Sequence, residues 1–124
     1  MSSQRNLLEE NQSAPSESDG NQCFGIYVAD SNRNVVRNNV VANNDIDGVF
    51  VPVGSRNTLI VGNRAVFNGD DGIDVNSSTT TIRGNTANEN GDLGIEAVPG
   101  VTDGGGNRAR NNGDPRQCVN VDCN

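Results

Sequence analysis

Two acidic residues, Asp74 and Glu96, stand 22 positions apart in matching phrases, Gly72-Ile73-Asp74-Val75 and Gly94-Ile95-Glu96-Ala97. A second acidic series, Asp70, Asp92 and Asp114, repeats at the same interval. Such residues become neighbours only if the chain between them makes one full circuit. In that case Asp74 and Glu96 approach to about 5 Å, the spacing of adjacent strands. Like charges that close repel and raise one pKa unless a cation bridges them, and Ca²⁺ favours such oxygen ligands. Equivalent positions in flanking phrases hold Tyr27, Phe50 and Asn120. This row reads as a candidate Ca²⁺ or sugar face, with Tyr27 and Phe50 as stacking surfaces and Arg83 or Arg37 as partners from a neighbouring strand. The plainer alternative is a solvated polar face, with Asp70, Asp92 and Asp114 as turn formers.

The elements that could place these residues follow from a second set of spacings. Asn-x4-Asn recurs as Asn39/Asn44, Asn63/Asn68, Asn85/Asn90 and Asn107/Asn112, with first members 24, 22 and 22 residues apart. Gly48, Gly72 and Gly94 follow the second Asn by four positions, each succeeded by Val49, Ile73 or Ile95, then by Val51, Val75 or Ala97. Val36, Ile60 and Ile82 precede the first Asn by three; Val41, Ala65, Ala87 and Ala109 follow it by two. Short alternations of this kind are strand signals, and their polar spacers are too short for helices. Three short strands per repeat, stacked in register, make a parallel β-helix. The expected class is all-β, a three-sheet solenoid of four to five coils. The first Asn of each pair is expected at a bend, in left-handed backbone. Both Asn rows are expected to run along the axis as ladders, because an amide both donates and accepts. These eight Asn read as scaffold.

Bulk composition narrows the function classes. Only 32% of the 124 residues are apolar, too few for a thick conventional core, but their regular placement argues against disorder. The net charge is −7, every base is Arg, and His and Lys are absent. That balance opposes a nucleic-acid or anionic-membrane partner and suits cations or hydroxyl-rich ligands. No apolar run is long enough to span a membrane. Met1 is followed by polar residues, so no secretory signal is visible.

The phrases DGIDVNSSTTTIRGNTANEN and GNRAVFNGDDGIDV resemble the right-handed parallel β-helix repeats of the pectin-lyase-like superfamily, most closely its NosD-like group, across residues 20–124. The resemblance implies a right-handed coil, a groove along the sheet that carries Asp74 and Glu96, a polysaccharide or glycan partner, and an extracellular or cell-envelope location. Fold analogy does not by itself select an activity. Gly69-Asp70-Asp71 echoes the Gly-Asp-Asp of polygalacturonases, but their further motifs need the His and Lys that this chain lacks. Alginate epimerases likewise need His. Pectate lyases, which work with carboxylate-held Ca²⁺ and an Arg base, remain compatible. The leading expectation is a non-catalytic scaffold or carbohydrate-contacting module, with no catalytic residue assigned. A Ca²⁺-dependent polysaccharide lyase or a fragment of one is second, and an assembly element that self-associates end to end is third.

Residues 1–20 read as a degenerate, mobile first coil with a loop insertion, QSAPSESDG, and residues 21–124 as the β-helix proper with a C-terminal capping segment. There Val119 and Val121 are expected in the Ile-x-Val place. Cys23 reads as a small half-buried residue. Cys118 and Cys123 can form a short-loop disulfide in an oxidising compartment, with free thiols as the alternative. Strand residues five apart are separated by about 16 Å, so a bridge requires the chain to turn back after Val121.

Overall fold

A computed structural model describes Ser3–Gln4, Leu7–Glu9, Gln12–Ser13 and residues 24–124. The described residues contain strands, turns and bends and no helix. Three parallel sheets of five strands each stack into a β-helix. The first comprises Leu7–Glu9, Val35–Arg37, Leu59–Val61, Thr81–Arg83 and Thr102–Gly105. The second comprises Gln12–Ser13, Val40–Ala42, Arg64–Val66, Thr86–Asn88 and Arg108–Arg110. The third comprises Phe24–Tyr27, Asp47–Val51, Ile73–Val75, Ile95–Ala97 and Cys118–Val119. A short ladder, Ser3–Gln4 with Ser31–Asn32, closes one corner. Each strand pairs with its equivalent in the next winding, so five strands per sheet amount to four full turns.

Gln12 and Ser13 pair with Val40 and Val41, so the start of the expected inserted loop is strand instead. The rest of that loop, its expected mobility and Cys23 lie outside the described residues.

The core is a set of apolar columns. Val36, Ile60 and Ile82 pair in register, as do Val49, Ile73 and Ile95, and all six are fully buried. Val41, Ala65, Ala87 and Ala109 form a third column. Its small side chains leave room for the two Asn ladders that flank it.

Amides inside each ladder are satisfied on both sides, whereas Asn44 Oδ1, at the end of its file, has no hydrogen-bond partner among the described residues. The Asn63 side-chain oxygen accepts from the Asn39 backbone N–H at 2.9 Å and from the Asn39 amide at 3.0 Å. The Asn63 amide nitrogen donates to the Val36 carbonyl at 2.8 Å and to Asn85 at 3.0 Å. Asn85 and Asn107 continue the file. Asn44, Asn68, Asn90 and Asn112 form the second file, which ends where Gln117 Oε1 accepts from Asn112 at 2.9 Å.

The bends differ from expectation in one respect. Left-handed backbone falls on the residue before each ladder Asn. Asn38, Gly62, Gly84 and Gly106 carry it in one row, and Asn43, Phe67, Glu89 and Asn111 in the other. The ladder Asn cannot make the turn itself, because its own N–H must point along the axis to the next amide. Glycine recurs just past the second ladder for a steric reason. A Cβ on Gly69, Gly91 or Gly113 would collide with the carbonyl of Asp45, Gly69 or Gly91 below it.

Register slips at two places: a bulge leaves Gly104 unpaired, with Ile82 opposite Asp103 and Arg83 opposite Gly105, and the last strand slips at the C-terminal end. Cys118 pairs with Ile95 and Val119 with Glu96, so Val119 takes the outward place expected for Asn120. Left-handed residues stand on both sides of this strand, Gln117 before it and Asn120 after it. Cys118 and Cys123 are joined by a disulfide with Cα atoms 6.1 Å apart. The closing segment then folds over the last winding: Asn124 N donates to Asn107 O, and Ala109 N donates to Asn124 O.

Candidate functional site

The outward face of the third sheet gathers most of the candidate residues. One column runs Tyr27, Phe50, Asp74, Glu96, Val119 in register. Beside it stands a second column, three positions past the second Asn of each pair: Phe24 pairs with Asp47, and Asp71 and Leu93 follow. The Asp71 backbone N–H donates to Asp47 Oδ1 at 3.0 Å, and the Leu93 N–H donates to Asp71 Oδ1 at 2.9 Å. Spacing from Asn44 and Asn68 would have revealed this second column; the sequence reading followed the rows at two and six positions past the Asn and missed it.

At one end of the face the rings of Phe24, Tyr27 and Phe50 form a single cluster. Phe24 stacks on Phe50 with centroids 5.0 Å apart, and Tyr27 lies 5.5 and 5.3 Å from the two. Tyr27 remains 54% exposed. Aromatic faces held in this way are rigid, partly wet apolar platforms.

Next to the rings lies an acidic block. Asp47 and Asp71 are almost fully buried, at 2% and 1% exposure. Burial pushes Asp71 up to about 9, reinforced by its hydrogen bond to Glu96 and the charge of Asp70. Asp74 rises to about 7, from burial and then the charges of Asp47 and Glu96. Asp47 rises to about 6, again chiefly from burial, with the Asp71 N–H and Asp74 acting in the opposite direction. Two carboxyl pairs, Asp47 with Asp74 and Asp71 with Glu96, therefore hydrogen-bond across neighbouring windings. Asp70, on the adjoining corner, is raised by partial burial and by Asp92. Carboxylate oxygens of Asp47, Asp70 and Asp71 lie within 4.8 Å of one another, as do those of Asp71, Asp92 and Glu96. These two triads are the oxygen sets that could hold a divalent cation.

The remaining candidates fall elsewhere. Asp70, Asp92 and Asp114 do stack, each donating its N–H to the residue below. However, Asp114 is occupied by Arg116, with a closest approach of 2.6 Å, and these bonds hold its carboxyl down at about 2. Arg116, which the sequence reading did not single out, is the guanidinium whose charge interacts with Asp92 and Glu96. Arg83 and Arg37 belong to the first sheet, where Arg37, Val61 and Arg83 share one column. Arg83 is outward there and lies over Gly104. It is not a partner of the acidic face, because a full corner separates the two sheets.

Neither the curated proteins nor the solved structures compared with this chain give a match. The family described as a right handed beta helix region matches residues 1–115. Stacked parallel strands, Asn ladders and that match agree, and the chain belongs to the right-handed β-helix family.

Proposed function

We propose that this chain is a non-catalytic β-helix module that holds a neutral glycan against the outward face of its third sheet, outside the cell or at its envelope. The observation that carries this reading is the contact between the Phe24–Tyr27–Phe50 cluster and the carboxyl columns in register with it. Sugar rings present apolar C–H faces to aromatic platforms, and their hydroxyls donate well to carboxylates. The carboxylates of Asp47, Asp70, Asp92 and Glu96 on or beside one face, in a chain of net charge −7, oppose an anionic chain. That favours a neutral glycan over a polyuronate.

Calorimetry with neutral oligosaccharides in the absence of Ca²⁺ tests the reading. Binding that is lost in Phe50→Ala supports it; no binding, or equal binding by the variant, overturns it.

The two oxygen triads favour a second reading. Ca²⁺ held at Asp71 and its neighbours would reverse the local charge and allow polyuronate to bind. In that case Ca²⁺ raises the melting temperature, and Asp71→Asn removes the rise because Asp71 belongs to both triads. Appearance of unsaturated uronate absorbance would extend this second reading to lyase activity.

A further inference from the structure

The two coil lengths, 24 and 22 residues, place their difference at one corner. Eight positions separate Val51 from Leu59, but six separate the equivalent Val75 and Thr81. The corner at 52–58 therefore protrudes beyond the one at 76–80. Below it runs the corner of the preceding winding, from Val28 to Val35, seven positions long. Between the two protruding corners lies a cleft of about 240 Å³, lined by Asp30, Ser31, Asn32, Gly54 and Arg56. A second hollow of about 170 Å³ shares Asp30 and Ser31 and reaches Tyr27. Together they lead from the aromatic platform round the corner of the prism.

The lining is polar and charged in both senses. Asp30 and Arg56 line the same cleft, yet among the described residues neither has an ion-pair partner. Gly54 matters to the shape, because a Cβ there would collide with the Asp30 carboxylate. The backbone is held firmly: Arg56 N donates to Ser31 O at 2.9 Å, and Arg33 N donates to Arg56 O at 2.9 Å. Asn32 Oδ1 accepts from the Asn57 amide at 3.0 Å, and Ser31 Oγ donates to Ala29 O at 2.6 Å. Asp30 and Arg56 thus project from fixed backbone, one accepting and the other donating.

We infer that the cleft between Asp30 and Arg56 is a subsite for the terminal residue of a neutral glycan, whose preceding residue lies over Tyr27. A hydroxyl both donates and accepts, so neighbouring hydroxyls of one sugar satisfy a carboxylate and a guanidinium together. The volume is below the range of about 300–1,000 Å³ typical of drug-sized ligands, which suits a single sugar ring. The inference rests on reading the aromatic face as a glycan platform.

Amide chemical shifts of the ¹⁵N-labelled protein provide the test. The probes are glucose, galactose, mannose and xylose, and neutral di- to tetrasaccharides built from them. A bound oligosaccharide is expected to shift amides at residues 30–32 and 54–56 together with those of Phe24, Tyr27 and Phe50. Asp30→Asn, which keeps the side-chain shape, and Arg56→Gln, which removes the guanidinium, should each weaken its affinity about tenfold and abolish the corner shifts. Gly54→Ala should do the same by displacing Asp30. Shifts confined to the aromatic face, with wild-type affinity in the Asp30 and Arg56 variants, would overturn the subsite and leave the platform intact. Shifts confined to the corner would overturn the platform, and with it the placement of the preceding residue over Tyr27. No shift with any probe would overturn both.

Discussion

Asn63 uses both donors and both acceptor sites of its amide inside the stack. Removing it strands several groups at once: the Asn39 N–H and amide lose their acceptor, and the Val36 carbonyl loses its donor. A buried group left without a partner costs about 1–3 kcal/mol. Asn63→Ala is therefore expected to lose roughly 3 kcal/mol or more of stability, read as a lower urea midpoint. The buried carboxyls set the second expectation. Asp47, Asp74 and Asp71 hold their protons more tightly folded than unfolded, at about 6, 7 and 9 against 3.8. Such groups leave stability intact below the unfolded pKa and erode it as pH climbs through the folded values. The melting temperature should fall from pH 5 to pH 8, and Asp71→Asn should flatten that fall; an equal slope in the variant would remove this cluster as its cause. The ladders were legible in the sequence because like sits over like at every turn. The pairing of Asp47 with Asp74 was not, because it runs diagonally between two columns and depends on a burial that spacing does not encode.

At the scale of the element, the corners carry most of the information that sequence reading misplaced. The strands could be read from single Ile and Val residues, whose inward direction is fixed by alternation. Which corner residue turns left-handed was harder to read, because three residue types fill the row of Asn43, Phe67, Glu89 and Asn111. Phe67 is the least suited of these: a large side chain, 57% exposed, at φ 56°. Left-handed backbone costs a residue with a Cβ roughly 1–2 kcal/mol. Phe67→Gly is expected to stabilise the protein by about 1 kcal/mol, measured by chemical denaturation. A loss instead would mean that the ring makes a contact worth more than the relief. The slip at Cys118 also arises at a corner: six positions separate Asn112 from Cys118, but five separate Asn90 from Ile95, the residue Cys118 pairs with.

At the scale of the whole molecule, the solenoid turns a linear interval into a surface. Twenty-two or twenty-four residues separate groups that touch, which is why the aromatic cluster and the acidic block each form from distant segments. The fold class and the identity of its columns followed from repeat spacing. The cleft at Asp30 and Arg56 did not, because it arises from a two-residue difference in corner length that spacing shows but cannot orient. The disulfide closes the stack at one end. Its loop is short, and the chain-entropy account assigns about 2 kcal/mol to it. Reduction, or Cys118→Ser with Cys123→Ser, should lower the melting temperature and speed hydrogen exchange first at Asn107, Ala109 and Asn112.

That clip has a mechanical corollary. Stretched by its two termini in an optical trap, the protein should unravel ring by ring from its ends. Cys118 and Cys123 belong to one terminal segment, five positions apart, so their bridge withholds the contour of the loop between them from the extension. Each ring released frees about 70–85 Å of contour, from roughly 3.3–3.6 Å per residue, giving a sawtooth of nearly even rips. Adding a reducing agent should lengthen the full extension by about 10 Å, the contour of the loop that the bridge had closed.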